Sequence, residues 1–198
     1  MMRLGILGGT FDPPHFGHLM MAETALAQLR LDKILFAPVG VQPLKPEAQA
    51  SASEHRARMV ELAIAPYRQF ELSRADLDRP GPHYTVDLVT IIQAQYLRAA
   101  LWFVMGEDSL RDLLRWRDPA RLLELARLAV LRRSGGAPTW EALIAALPQL
   151  PDLIDWLAGV EINIAASDIR QRLIHGLPVD HLVPAAVIDY LTAQHLYV

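Results

Sequence analysis

Short apolar runs alternate with stretches of helical spacing along almost the whole chain, and this alternation restricts the fold more than any other feature. Residues 3–8 (RLGILG) form an apolar run that stops at Gly8-Gly9, which predicts a buried strand. From Gly17 to Arg30 the spacing turns helical, with Leu19, Ala22, Leu26 and Leu29 on one face. Further strands are expected at 33–39 (KILFAPV), 70–73 (FELS), 101–106 (LWFVMG), 127–133 (RLAVLRR) and, as the last, 161–164 (EINI). Between them, Ser51 with Glu54 reads as a capping box that opens a helix to Ala65. Another helix is expected from Thr85 to Arg98, a short one capped by Thr139, and two more near 168–175 and 184–194. Such alternation implies an α/β fold, a doubly wound and mostly parallel sheet with helices on both faces. Ligands of these sheets bind beyond the carboxyl ends of the strands, where the strand order switches.

The 198 residues fit a single domain, and a hydrophobic share of 52% is enough to bury a core. A net charge of -3 argues against a dedicated nucleic-acid binder, whose domain is basic overall. An anionic ligand stays open, because local clusters of Arg, Lys and His matter more than the sum. The absence of cysteine excludes disulfides and thiolate metal sites. The first residues lack the pattern of a signal peptide, and no stretch approaches the roughly 20 apolar residues of a membrane span. A soluble, cytoplasmic protein without a membrane partner is therefore expected.

The stretch that closes the first strand, GGTFDPPHFGH (8–18), combines paired glycines, paired prolines and two histidines three apart. Gly8-Gly9 frees the backbone as it leaves the strand and lets a ligand come close. The helix that follows presents unpaired N–H groups and partial positive charge at its start, which suits phosphate. His15 and His18 add ring donors at the same place. The spacing matches neither the dinucleotide fingerprint nor the Walker loop. A metal held by His15, His18 and Asp12 has no further ligand cluster in its favour. Near the other end, Ser167 reads as the N-cap of a helix and Arg170 falls in its first turn. Helical side chains lean toward the N-terminus, so both could grip one phosphate.

GGTFDPPHFGH resembles the G-G-[ST]-F-D-P-x-H-x-G-H signature of the nicotinate mononucleotide adenylyltransferases, within the H-x-G-H nucleotidyltransferase superfamily. The resemblance extends through PHYTVDL (82–88), FVMGEDSL (103–110), Trp116, LRR (131–133) and the ending LVPAAVIDYLTAQHLY. It implies a Rossmann-like α/β domain with a small C-terminal helical part, one nucleotidyltransferase domain over residues 1–198. It also implies a reaction in which ATP, carrying Mg²⁺, and nicotinate mononucleotide give deamido-NAD and pyrophosphate for NAD biosynthesis. By the same resemblance His15 and His18 contact ATP phosphates, and Gly8, Gly9, Thr10 and Phe11 line the nucleotide site. Asp108 falls where the family binds ribose hydroxyls, although it could equally cap the next helix. Trp116 falls where the pyridine ring stacks, Thr85 where the backbone helps hold the nicotinate carboxylate, and Arg133 near adenine. Arg117, directly after Trp116, could bring positive charge near the acid or point to solvent.

IAASDIR (164–170) resembles the family's I-S-x-T-x-x-R motif, with Ala165 in place of its Ser and Ser167 in place of its Thr. Lys45 aligns with a basic family position, but Leu44 stands where a histidine usually precedes it. These departures keep open a nucleotide-binding protein with reduced or lost catalysis. An adenylyltransferase that prefers nicotinamide mononucleotide also stays open. An acceptor such as phosphopantetheine is disfavoured by the matches at 82–88 and 116. His55, His83, His175, His181 and His195 form no constellation and are expected at the surface or at helix ends. An oligomer is compatible with the sequence.

Overall fold

Six parallel strands make one sheet in the order β3-β2-β1-β4-β5-β6. The strands are β1 (Arg3–Gly9), β2 (Lys33–Pro38), β3 (Phe70–Leu72), β4 (Ala100–Gly106), β5 (Arg127–Leu131) and β6 (Ile154–Leu157). The computed structural model describes residues 1–40, 50–132, 140–159 and 164–197. From β1 the chain winds one way through β2 to β3, and after β4 it winds the other way to β6. The order therefore switches between β1 and β4, which pair directly with Leu7 opposite Val104. A crevice opens beyond the carboxyl ends of these two strands. This is the doubly wound arrangement that the alternating sequence predicts, and the Rossmann-like domain that the family resemblance implies.

Both faces of the sheet are covered, which is why its strands read as nearly continuous apolar runs. Side chains alternate between faces along a strand. Trp102 and Val104 of β4 accordingly join one core cluster, and Leu101, Phe103 and Met105 join the other. The first cluster receives α1 (Phe16–Gln28), α2 (Ser53–Ile64), α7 (Ala166–Ile174) and α8 (Ala185–Ala193) through residues such as Leu19, Met59, Ile169 and Val187. The second receives α3 (Thr85–Gln95), α5 (Pro119–Leu125) and α6 (Trp140–Ala146) through Leu88, Leu122 and Leu143. The short α4 (Glu107–Arg111) follows β4 directly. Gly5 is required where it stands: a Cβ there would lie 2.3 Å from the Ile34 side chain, inside the packing of β1 on β2.

The structure departs from the sequence pattern at three places. Helix α2 starts at Ser53 after Ala52, with no side-chain cap, so Ser51 and Glu54 form no capping box. Glu54 instead receives two hydrogen bonds from Arg74. The sixth strand is Ile154–Leu157, within LIDWL, and Ile164 lies outside any strand. Asp155 hides this strand from a hydrophobic pattern, and its neighbours explain why it is tolerated. The Trp102 indole donates to it at 2.8 Å and Arg127 Nε at 2.6 Å, both across the sheet. Burial opposes ionisation of Asp155, but these bonds prevail and hold its carboxyl below the usual value. In α1, Met21 and Ala25 are buried while Leu26 and Leu29 are only half-buried. Thr139 and the 161–163 part of the expected last strand lie outside the described residues.

Candidate active site

A cavity of about 950 Å³ occupies the switch point and runs from the end of β1 across the end of β4 to the start of α7. Its walls include Gly8, Gly9, Thr10, His15, His18 and Gly106. The loop from β1 to α1 is shaped by Phe11, whose backbone is left-handed at φ 52 although it is not glycine. Such a conformation costs about 1–3 kcal/mol and persists only where packing enforces it. Here the ring is 1% exposed, edge-on to His18 at 4.8 Å and tilted on Phe36 at 5.7 Å. Gly9 makes room for it, since a Cβ there would meet the ring at 3.2 Å.

His15 is the N-cap of α1 and His18 its third residue, so the helix start itself brings the two rings together. They stack with centroids 3.7 Å apart. The His15 backbone N–H donates to His18 Nδ1 at 3.2 Å, which leaves the proton of the neutral His18 ring on Nε2 as a donor. His15 is buried, yet both residues line the cavity. A helix N-terminus and two imidazoles thus converge on one wall, a combination suited to an anionic ligand.

Behind this wall lies a polar network that the sequence pattern does not announce. Arg56 of α2 is 2% exposed and spends its donors on backbone carbonyls. It donates to Thr10 at 2.9 Å, Val39 at 2.7 Å, Gly40 at 2.9 Å and Ser51 at 3.0 Å. Three separate loop segments are tied to one guanidinium. Burial pushes the Arg56 pKa down, and the nearby Asp12 carboxylate opposes that shift. Asp12, also 2% exposed, accepts the Ser51 N–H at 3.2 Å and the Tyr197 hydroxyl. A signal for Arg56 does exist: Arg56, Met59, Val60 and Ala63 share the apolar face of α2, where an arginine must be fully hydrogen-bonded to be buried. Tyr197 carries no such local signal.

Arg170 reaches the same loop from α7. Its Nη1 donates to the Asp12 carbonyl at 2.7 Å and stands 3.8 Å from the Asp12 carboxylate. Ser167 is not the N-cap. That position belongs to Ala165, whose side chain has no cap bond to offer, and Ser167 is the second helical residue, with its hydroxyl on Asp168 at 3.3 Å. Helix α7 begins earlier than the serine suggests, because Ala165 takes the extended backbone of the cap. Ser167 and Arg170 both line the cavity.

The opposite end of the cavity is made by α3, α4 and the segment after it. Thr85 is the first residue of α3, with Tyr84 as cap. Asp108 is exposed within α4, whose cap is Gly106, so Asp108 does not cap that helix. Trp116 is half-buried, edge-on to Phe103 at 5.8 Å. The exposed Arg117 has its guanidinium 5.9 Å from the Tyr84 ring centroid. All four of Thr85, Asp108, Trp116 and Arg117 line the cavity. His83 does so too; it stands at a helix end, just before the Tyr84 cap of α3, but at 6% exposure it is buried rather than at the surface. Its ring fills the space left by Gly40 and Gly81, and its Nε2 lies 3.2 Å from the Arg79 carbonyl. His55 lies in the first turn of α2, at a helix end as expected, and its Nδ1 contacts the Tyr190 hydroxyl at 2.8 Å between α2 and α8. Lys45 and Arg133 lie outside the described residues.

A family profile described as cytidylyltransferase-like matches residues 6–172. A probable nicotinate-nucleotide adenylyltransferase of Roseiflexus sp. (strain RS-1) is 43% identical over 194 residues, covering 98% of this chain and 97% of that protein. The chain belongs to the nicotinate-nucleotide adenylyltransferase family. A further member, from Bacillus pumilus (strain SAFR-032), is 35% identical over 199 residues and covers 100% of this chain and 99% of its own. Among solved structures, a Plasmodium falciparum nicotinic acid mononucleotide adenylyltransferase complexed with NaAD aligns with a TM-score of 0.78 at 19% identity, over 100% of this chain and 98% of that one. The fold is thus the adenylyltransferase family's own. No helix among the described residues is long and apolar enough to cross a membrane.

Proposed function

We propose that this chain transfers the adenylyl group of ATP to nicotinate mononucleotide, releasing pyrophosphate and giving deamido-NAD. The observation that carries the reading is the convergence in one cavity of the His15–His18 wall, Arg170 of α7 and, at the far end, Thr85 and Trp116. A volume of about 950 Å³ accommodates two nucleotides held end to end.

In this reading ATP binds as its Mg²⁺ complex, the metal travelling with the phosphates and keeping much of its own water. His15, His18 and the start of α1 receive the phosphates beside Gly8, Gly9, Thr10 and Phe11, and Arg170 with Ser167 closes on them from α7. Asp108 faces ribose hydroxyls. Thr85, Trp116 and Arg117 hold the acceptor ring and its carboxylate. An acceptor phosphate oxygen attacks the α-phosphorus in line, a new P–O bond forms there, and the bond to the β-phosphate oxygen breaks. No protein nucleophile is needed, because the step runs on alignment and on charge stabilisation of the oxygens.

The family position of Lys45 and Arg133 makes them further contacts to phosphate and adenine. The chain acts as one nucleotidyltransferase domain over residues 1–198, in the cytoplasm. The test is pyrophosphate release with MgATP and either nicotinate or nicotinamide mononucleotide. Release with neither acceptor overturns the reading.

A further inference from the structure

Tyr197 lies beyond α8 and does not line the cavity, yet it is joined to a residue that does. Its hydroxyl donates to Asp12 Oδ1 and accepts from Ser51 Oγ at 3.1 Å. The other carboxylate oxygen, Oδ2, accepts the Ser51 N–H at 3.2 Å and stands 3.8 Å from Arg170 Nη1. That same nitrogen donates to the Asp12 carbonyl at 2.7 Å. The Asp12 carboxylate is therefore held at both oxygens, and its distance from Arg170 is too long for a tight ion pair. Burial, with the bond to Asp12, pushes the Tyr197 pKa well above its usual value, so the phenol stays a donor at working pH. The ring packs against the core cluster beneath α1, α2 and α8, an anchor that does not depend on the hydroxyl.

We propose that Tyr197 is a positioning residue for the adenylyl-transfer site: its hydroxyl fixes the Asp12 carboxylate, and the fixed carboxylate keeps Arg170 available to the cavity. The physical reason is competition. A buried carboxylate that loses one of its donors turns toward another, and the Arg170 guanidinium already stands 3.8 Å from it. A small turn of the Asp12 side chain closes the 3.8 Å gap into an ion pair and withdraws the guanidinium from an incoming phosphate. The proposal rests on the reading of Arg170 as a phosphate contact.

The test is a double-mutant cycle on binding of α,β-methylene-ATP, measured by calorimetry on the unaltered chain, Tyr197→Phe, Arg170→Ala and the double variant. Tyr197→Phe keeps the ring, so its thermal midpoint should stay within a few degrees, while affinity falls about tenfold, the scale of one hydrogen bond to a charged group. In the Arg170→Ala background the same change should produce no further loss. Unchanged affinity in Tyr197→Phe, or an equal loss in both backgrounds, overturns the proposal. An Arg170→Ala variant that binds normally overturns it together with the assignment of Arg170. Pyrophosphate release by the unaltered chain judges the activity separately, so failure of the reaction and failure of this coupling are told apart.

Discussion

Replacing Arg56 by methionine keeps the length and much of the volume of a buried side chain and removes every donor. Four carbonyls, those of Thr10, Val39, Gly40 and Ser51, then lose this donor at once. An orphaned buried acceptor costs about 1–3 kcal/mol, and a guanidinium bond lies at the upper end. Two effects reduce the total: the charged group no longer has to be desolvated, and water from the adjoining cavity can reach some of the freed carbonyls. A net destabilisation of about 3–5 kcal/mol is expected, the scale of breaking a buried charged network from one side. For a chain of this length that lowers the thermal midpoint by roughly 6–20 °C. Urea denaturation of both proteins gives the difference directly, provided the slope is unchanged. The loss should be concentrated in the loops around the cavity, so nucleotide affinity should fall as well. A difference under about 1 kcal/mol would refute the view that this arginine holds the three loops together.

Three further outcomes follow from the site and the sheet. His18→Ala should lower turnover about 10²–10³-fold, the scale of one lost transition-state donor, while circular dichroism shows the fold retained; near-normal turnover would place the ring outside the phosphate site. Nicotinate mononucleotide should be used with a kcat/KM about 10²–10⁴ above that of nicotinamide mononucleotide, because an amide NH₂ turned toward backbone donors leaves them unpaired; steady-state kinetics with both acceptors decides it. Asp155→Asn should lose about 1 kcal/mol at neutral pH, discounted for the partly open Arg127 partner. Because the Asp155 carboxyl is held low, its contribution is full above the unfolded value of about 4 and fades as pH falls through the folded one. Urea curves at neutral and strongly acidic pH should therefore converge for the two proteins as the pH drops.

The parallel sheet and the position of its ligand crevice are legible in the sequence, because strands buried on both faces read as nearly continuous apolar runs and the stretches between them are long enough for crossover helices. The His15–His18 wall of the cavity is legible for the same kind of local reason: glycines, prolines and a helix start lie within a few residues of the two histidines. What only the tertiary structure decides depends on partners distant in the chain. Asp155 sits in a strand because Arg127 reaches it from the adjacent β5 and Trp102 from β4 beyond, and no periodicity records that. His83 turns inward because Gly40, more than forty residues earlier, leaves the space its ring fills. Ser167 looks like a cap, but the docking of Arg170 on the Asp12 carbonyl goes with a helix that begins at Ala166. Asp12 and Tyr197 are 185 residues apart and meet only when α8 packs beside α2. A sequence encodes local pattern directly, but a hydrogen bond between buried groups exists only once the core has placed both ends.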